Sequence, residues 1–117
     1  MSGAFAFTQV DVFTDVALLG NPLAVVHGAD RLDEARMQAF AQWTNLSETA
    51  FLLAPTDPLA DYRIRIFTPG GELPFAGHPT VGAAILIAEL NGRLGPAPSE
   101  ALVMLEETIG SVRVGVR

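Results

Sequence analysis

The sequence predicts a single α+β domain, in which a mostly antiparallel, curved sheet wraps around a central buried helix. Three observations lead to this fold class. Several segments alternate apolar and polar residues as strands do, and one amphipathic helical segment lies between them. A nearly all-apolar segment at residues 79–90 predicts a second helix, buried on every side. Half of the 117 residues are hydrophobic, which is enough for one core.

The first elements are predicted from alternation and from turn residues. Residues 5–13 alternate apolar and polar side chains and predict a first strand with room for one bulge. The sequence Gly-Asn-Pro at 20–22 predicts a turn, and residues 23–26 a short second strand. His27 follows this strand and precedes a glycine, so we expect it in a turn or at the surface.

An amphipathic helix is predicted next, with Asp33 as its N-cap and Asn45 at its end. We expect Glu34 and Arg36 on its exposed side and Trp43 to pack at its end. Its apolar face follows helical spacing and consists of Met37, Phe40, Ala41 and Thr44.

Two further strands and a hairpin are predicted in the remainder. Residues 48–53 form an apolar strand, and residues 62–67 alternate cleanly as a half-buried antiparallel strand. In the latter, Arg63 and Arg65 are expected on an exposed face. Residues 102–105 and 111–116 predict a hairpin.

Composition excludes several classes of function. The net charge of −6 argues against nucleic acid or an anionic membrane surface as a partner. All seven basic residues are arginine, so neither a Schiff-base lysine nor a Walker lysine exists. Without cysteine there is no thiol catalysis and no disulfide. The two histidines, His27 and His78, have no carboxylate at metal-ligand spacing, so no metal site is expected.

We also expect a cytoplasmic protein that does not span a membrane. The sequence begins without the basic start and apolar block of a signal peptide. Its longest apolar run, at residues 81–88, is far shorter than the roughly 20 residues that cross a bilayer.

The segment at residues 68–82 is the most informative stretch. It holds four glycines, three prolines and His78, and it leads directly into the apolar helix predicted at 79–90. A helix N-terminus presents unpaired N–H groups and partial positive charge, which suit a carboxylate or another small anion. The segment therefore predicts a shaped loop that forms an anion site.

Glu48 and His78 are the two candidate acid/base residues, and each has a structural alternative. A glutamate beside a turn is most often a solvated surface carboxylate. Glu48, however, leads straight into the apolar residues 50–53, which favours a site at the edge of the core, where burial raises the pKa of a carboxyl group. His78 could equally cap a helix or bond a backbone carbonyl. Ser47 is interpreted as shaping the turn beside Glu48.

Five segments in this order resemble the N-terminal half of the phenazine-biosynthesis isomerase family (PhzF-like). The resemblance extends from Phe7 to Val116, and the last two segments are its most specific part. The segments are Val-Asp-Val-Phe at 10–13, Gly-Asn-Pro at 20–22, Asn-Leu-Ser-Glu-Thr at 45–49, Arg-Ile-Phe-Thr-Pro at 65–69 and Glu-Leu-Pro-Phe-Ala-Gly-His-Pro-Thr at 72–80.

The resemblance implies a diaminopimelate-epimerase-like fold, whose two lobes each wrap a sheet around a central helix with the active site between them. It implies that Glu48 moves a proton between carbons of a cyclic dienol acid and that His78 assists. The substrate, a small carboxylate, would be bound by Ser47, Gly77, Pro79 and Thr80, with Gly77 and the helix N-terminus holding its carboxylate. No cofactor is implied.

Members of this family are about twice as long, so residues 1–117 correspond to one lobe without the second. We expect a truncated product, a fragment, or a lobe that completes its cleft as a homodimer or with a complementary second-lobe chain. Two functions remain open: an isomerase or epimerase lobe that is active once the site is completed, and a non-catalytic lobe that serves as a binding or assembly subunit.

Overall fold

A mixed sheet with a helix on one face forms the described part of the chain. The computed structural model describes residues 5–12, 16, 18–56, 58, 60–74, 101–107 and 110–116. Its elements are β1 (Phe7–Val12), β2 (Asn21–Val26), a 3₁₀ helix (Ala29–Arg31), α1 (Glu34–Thr44), β3 (Glu48–Leu53), β4 (Tyr62–Thr68), β5 (Gly71–Leu73), β6 (Ala101–Glu107) and β7 (Gly110–Val116). This confirms the α+β class. The helix predicted at residues 79–90 lies outside the described residues, so the wrapping of the sheet around it stays a prediction.

The seven described strands form one sheet in the order β1-β2-β3-β4-β6-β7, and β5 pairs with β4 beside this path. The β1–β2, β3–β4, β4–β5 and β6–β7 ladders are antiparallel. The β2–β3 and β4–β6 ladders are parallel. Parallel neighbours require a crossover, which the 3₁₀ helix and α1 supply between β2 and β3. The sheet is therefore mixed, although antiparallel ladders predominate among the described strands as predicted.

The caps of α1 agree with the sequence prediction. The Asp33 side chain accepts a hydrogen bond from the Arg36 N–H at 2.8 Å, which satisfies one of the helix's unpaired donors. Asn45 ends the helix in the left-handed conformation with φ of 55°, and its N–H donates to the Ala41 carbonyl. These caps fix the orientation of the chain as it enters β3.

One apolar core lies between α1 and the sheet. Phe51, at its centre, has no solvent exposure, and its ring meets those of Phe67 and Phe40 edge-on, with centroids 5.5 and 6.1 Å away. The buried members of this cluster are Val26, Ala29, Met37, Ala41, Phe51, Leu53 and Phe67. Of the apolar face predicted for the helix, Met37 and Ala41 are buried and Phe40 packs against the cluster.

The opposite face of the sheet is also buried. Because strand side chains alternate, residues one position from the α1 cluster point to the other side. These are Leu23, Val25, Ala50, Leu52, Ile64 and Ile66, and each is at most 2 % exposed. Both faces of β2, β3 and β4 therefore carry core residues, which explains why β3 is an almost unbroken apolar run.

Four details correct the sequence predictions. Trp43 is 80 % exposed and does not close the helix end, although its ring lies 5.8 Å from that of Phe40. Arg63 and Arg65 are not on an exposed face, since both residues are half-buried and the Arg65 side chain retains 19 % exposure. Residues 71–73, predicted as part of a loop, form strand β5. β2 begins two residues earlier than predicted, at Asn21, because Asn21 and Pro22 pair with Val12 and Asp11 of β1.

Candidate active site

Glu48 is the first residue of β3, as predicted, and lies at the entrance to the core. It pairs with Leu23 in the parallel ladder with β2, and the next residue, Thr49, pairs with Phe67 of β4. Glu48 is half-buried, whereas Thr49 and the rest of β3 are buried. The expectation that this carboxylate lies at the edge of the core is confirmed.

The alternation of β3 places Glu48 on the sheet face opposite α1. Thr49 lies on the α1 side, where its hydroxyl is 3.3 Å from that of Thr44. Glu48 therefore shares its face with Ala50 and, through the β2–β3 ladder, with Leu23. Both of these neighbours have no solvent exposure. Glu48 is therefore a half-buried residue that lies beside dry apolar residues on its own face of the sheet.

Ser47 precedes Glu48 in the connection from α1 and is exposed. The connection is short because Asn45 turns the chain directly out of the helix. Ser47 therefore lies next to Glu48 at the same end of the sheet. Its predicted contact with substrate stays a prediction.

A tight turn between β4 and β5 borders the same end of the sheet. Its first residue, Thr68, follows Phe67, so Thr68 and Glu48 occupy neighbouring positions one residue beyond the Thr49–Phe67 pair. The Thr68 hydroxyl accepts hydrogen bonds from the N–H groups of Gly70 and Gly71, both at 3.1 Å. It also donates to the Gly71 carbonyl at 3.0 Å. The Thr68 side chain thus closes the turn on itself.

These hydrogen bonds limit where an anion could bind in the segment 68–82. The N–H groups of Gly70 and Gly71 already have an acceptor in Thr68, so the first glycine pair is not an open anion site. A site formed by backbone N–H groups would have to involve the later part of the segment. His78, Gly77, Pro79 and Thr80 all lie there, outside the described residues.

Helix α1 holds this turn from the other side. The Gln38 side-chain amide donates to the Thr68 carbonyl at 2.7 Å and to the Pro69 carbonyl at 3.3 Å. A side chain from the helix thus satisfies the carbonyl groups of a turn that is distant in sequence. The turn and the helix are fastened together as one unit.

Arg65 links β4, β5 and α1 by charge-assisted hydrogen bonds. Its Nε and Nη2 atoms donate to the two carboxylate oxygens of Glu72 at 2.7 and 2.6 Å. Nη2 also donates to Glu34 in the first turn of α1 at 2.6 Å. The hydrogen bond with Glu72 raises the pKa of Arg65 above its ordinary value; Glu34 adds to this and partial burial opposes it.

His27 is half-buried rather than at the surface. Its backbone N–H donates to the Ala6 carbonyl at 2.9 Å, and its Nε2 lies 2.9 Å from the Thr8 hydroxyl. Burial lowers the pKa of His27, since the imidazolium is less well solvated than in water. It lies at the other end of β2 from Glu48, so the two groups do not belong to one site.

Two further properties can be stated for the described part of the chain. No group of three histidine, aspartate or glutamate side chains is arranged there to hold a metal ion. No helix in these residues combines the length and the apolar character needed to cross a membrane.

Sequence reasoning missed two features at the site. One is the ion pair between Arg65 and Glu72, which are only seven residues apart. Alternation predicted Arg65 on an exposed strand face, and glycine content predicted a loop around Glu72. The parallel pairing of β2 with β3 places Leu23 beside Glu48 and was not predicted either. A helix between two strands, which the sequence did show, is the usual signal of such a crossover.

A comparison with protein-family models supports the resemblance found in the sequence. The model described as phenazine biosynthesis-like protein (PhzC-PhzF) matches residues 10–117. An uncharacterised isomerase of Mesorhizobium japonicum is 56 % identical over 106 residues, which cover 91 % of this chain and 34 % of the relative. A trans-2,3-dihydro-3-hydroxyanthranilate isomerase of Pseudomonas aeruginosa is 43 % identical over 106 residues, again 91 % of this chain and 35 % of the relative.

Solved structures show the same similarity. A predicted epimerase from Pseudomonas aeruginosa matches with a TM-score of 0.84 and 43 % identity, covering 97 % of this chain and 39 % of that one. A PhzF-family phenazine biosynthesis protein of Bacillus anthracis matches with a TM-score of 0.76 and 34 % identity, covering 92 % and 34 %. A hydroxyproline epimerase from Agrobacterium vitis, at 17 % identity and a TM-score of 0.70, shares the fold. The chain spans about a third of the length of the curated relatives it matches.

Proposed function

The chain belongs to the phenazine biosynthesis-like (PhzC-PhzF) family, and from that premise we propose that it forms one lobe of a cofactor-independent isomerase or epimerase. The proposed reaction moves a proton on a small cyclic carboxylic acid by acid/base catalysis. A relative that is 43 % identical is named for the isomerisation of trans-2,3-dihydro-3-hydroxyanthranilate, which is an acid of this kind.

The observation that carries the proposal is the position of Glu48. A general acid/base must reach the substrate from a fixed position, and a site at the edge of the core provides both access and a rigid strand to hold it. Glu48 is half-buried and next to Leu23, which is fully buried.

His78 and Gly77 are proposed as the partners of Glu48. Leu73 pairs with Ile66 of β4, two strand spacings from β3, or roughly 10 Å at about 4.8 Å per spacing. The five residues from Leu73 to His78 can span up to about 17 Å when extended. The chain length therefore permits His78 to reach Glu48. We propose that His78 assists at the substrate hydroxyl or amine, and that Gly77, Pro79, Thr80 and Ser47 bind the substrate, Gly77 at its carboxylate.

A second lobe or a second chain is part of the proposal. The chain spans about a third of its curated relatives, and Glu48 is only half-buried among the described residues, whereas proton transfer from carbon requires the exclusion of water. We propose that the other wall of the site comes from a second lobe, from another copy of this chain or from a complementary chain.

Deuterium incorporation tests the proposal. The chain is incubated in D₂O with trans-2,3-dihydro-3-hydroxyanthranilate as the probe, over a wide range of protein concentration, and the product is analysed by NMR. A site completed by self-association predicts that the rate per chain rises with concentration. No deuterium in substrate or product at any concentration, with the oligomeric state measured in parallel, would contradict a self-completed active site.

The alternative, a non-catalytic assembly or binding subunit, would use an exposed apolar surface that a self-completed enzyme would also use. Val16, Leu18 and Leu19, in the connection between β1 and β2, are 51 %, 93 % and 74 % exposed. Apolar side chains that are exposed together are typical of an association surface. If the chain binds a partner tightly through this connection but produces no exchange in any assembly, this alternative replaces the enzymatic proposal.

A further inference from the structure

We propose that Arg65 is a positioning residue for the candidate site, because through Glu72 it holds the turn between β4 and β5 beside Glu48. The significance of this role rests on the proposed function, in which Glu48 moves the proton. The placement of the turn can nevertheless be tested without any reaction.

The ion pair is stronger than a typical surface contact. Exposed salt bridges contribute little to stability, because water screens them and two flexible side chains must be ordered. Here the guanidinium binds both oxygens of Glu72 in a fork, with side-chain exposures of only 19 % for Arg65 and 23 % for Glu72. Bidentate pairs of this kind fix geometry as well as contributing energy.

The strand that this pair holds is too short to place itself. β5 has three residues, Gly71–Leu73, which pair with Thr68, Phe67 and Ile66 of β4. A two-stranded pairing of this length is marginal in water. Glu72, at the centre of β5, pairs with Phe67 and reaches across to Arg65, so the ion pair fastens β5 at its midpoint.

Arg65 cannot itself contact a substrate at Glu48. Arg65 pairs with Phe51, so its side chain points to the α1 face of the sheet, whereas Glu48 points to the opposite face. Its third contact, to Glu34, adds the first turn of α1 to the same unit. Gln38 of α1 in turn bonds the carbonyl groups of Thr68 and Pro69. The helix, the turn and β5 therefore support one edge of the site from the α1 face of the sheet.

The experiment compares Arg65→Gln with Arg63→Gln, using the whole chain. Arg63 lies on the same strand and the same face, but it pairs with Leu53 and Glu106 instead of lying beside β5. Two NMR readouts are made without substrate at one fixed pH: amide hydrogen exchange of residues 70–73, and the chemical shift of the Glu48 side-chain carboxyl carbon. Amide exchange in the buried strand β3 reports whether the fold as a whole is intact.

Arg65→Gln is expected to speed exchange of residues 70–73 at least about tenfold and to move the carboxyl-carbon resonance of Glu48, with β3 still protected. Arg63→Gln is expected to match the parent in both readouts. The charge-swapped double variant Arg65→Glu, Glu72→Arg is expected to restore much of the protection. A structural role remote from the site would not move the carboxyl-carbon resonance of Glu48.

The proposal is overturned if Arg65→Gln keeps both readouts at the parent values. If Arg65→Gln loses protection in β3, the milder Glu72→Gln decides by the same two measurements, because it weakens the pair and leaves the Glu34 contact in place. Both readouts are independent of catalysis. If Glu48 proves not to be the acid/base, the expected values of both readouts stay the same. If the readouts do not change in Arg65→Gln, the acid/base role of Glu48 is still decided by its own test.

Discussion

Glu48 and Leu23 are paired residues in the parallel ladder of β2 and β3, so a half-buried carboxylate lies directly beside a side chain with no solvent exposure. The pairing exists because α1 carries the chain from β2 back to the same end of the sheet. A carboxylate at this position has access to solvent and to dry apolar surface at once. That combination is what the proposed acid/base role requires.

The first prediction concerns the core on the α1 face. Replacing Phe51 by Ala should lower the free energy of unfolding by about 3–5 kcal/mol, because a fully buried ring and its contacts with Phe40 and Phe67 are lost. Trp43→Ala should change it by no more than about 0.5 kcal/mol, since Trp43 is 80 % exposed. Urea titration measures both values. Equal losses for the two variants would contradict this description of the core.

The second prediction concerns pH. Burial lowers the pKa of His27 below its ordinary value of 6.5, so the unfolded chain binds a proton more readily than the folded chain. The contribution of His27 to the free energy of unfolding should therefore be constant above pH 6.5. It should decrease as the pH drops through 6.5 towards the lower pKa that His27 has in the folded chain.

His27→Gln should remove this part of the pH dependence between about pH 7.5 and 5.5, a range above the titration of most carboxylates. The free energy of unfolding is measured by urea titration at several pH values for parent and variant. A decline of the same slope in both proteins would show that His27 does not cause it.

The third prediction concerns association. Leu18 has a left-handed backbone with φ of 71°, and its N–H donates to the Asp11 carboxylate at 2.7 Å. This conformation is costly for leucine, and the side chain that it presents is 93 % exposed. The connection containing Leu18 and Leu19 joins β1 to the start of β2, so it lies at the same end of the sheet as Glu48.

The double variant Leu18→Asn, Leu19→Asn should weaken self-association at least about tenfold in sedimentation experiments. Asparagine tolerates the left-handed conformation, so the backbone is retained while apolar surface is removed. Trp43→Gln, on the α1 side, should leave association unchanged. If Trp43→Gln weakens association and the double variant does not, the interface lies on the α1 side of the sheet, and this would favour the non-catalytic alternative. A monomer at all concentrations would contradict the homodimer.

The described fold followed from the sequence wherever periodicity and capping were strong. Asp33, Asn45 and the bounds of β3 were predicted correctly, because a cap and an apolar run are local signals. The predicted packing of Trp43 was wrong because a large aromatic residue near a helix end need not face the core. β5 was missed because three residues between glycine and proline show no alternation.

The site was predicted less completely, for a physical reason. Glu48 could be identified from its own segment, since it leads into an apolar strand. The position of Leu23 beside Glu48 depends on the register of the β2–β3 ladder, and the contacts of Arg65 depend on the packing of α1. Local sequence patterns encode neither of these. The roles of His78, Gly77, Pro79 and Thr80 came from the family resemblance and stay predictions.

The most direct test of the account is the rate of solvent-deuterium exchange at the substrate carbon for Glu48→Gln, in an assembly where the parent chain incorporates deuterium. Glu107→Gln, a change of the same kind in β6, serves as the control. The account predicts a loss of at least about a hundredfold for Glu48→Gln and none for Glu107→Gln. Exchange by Glu48→Gln as fast as by the parent would contradict it.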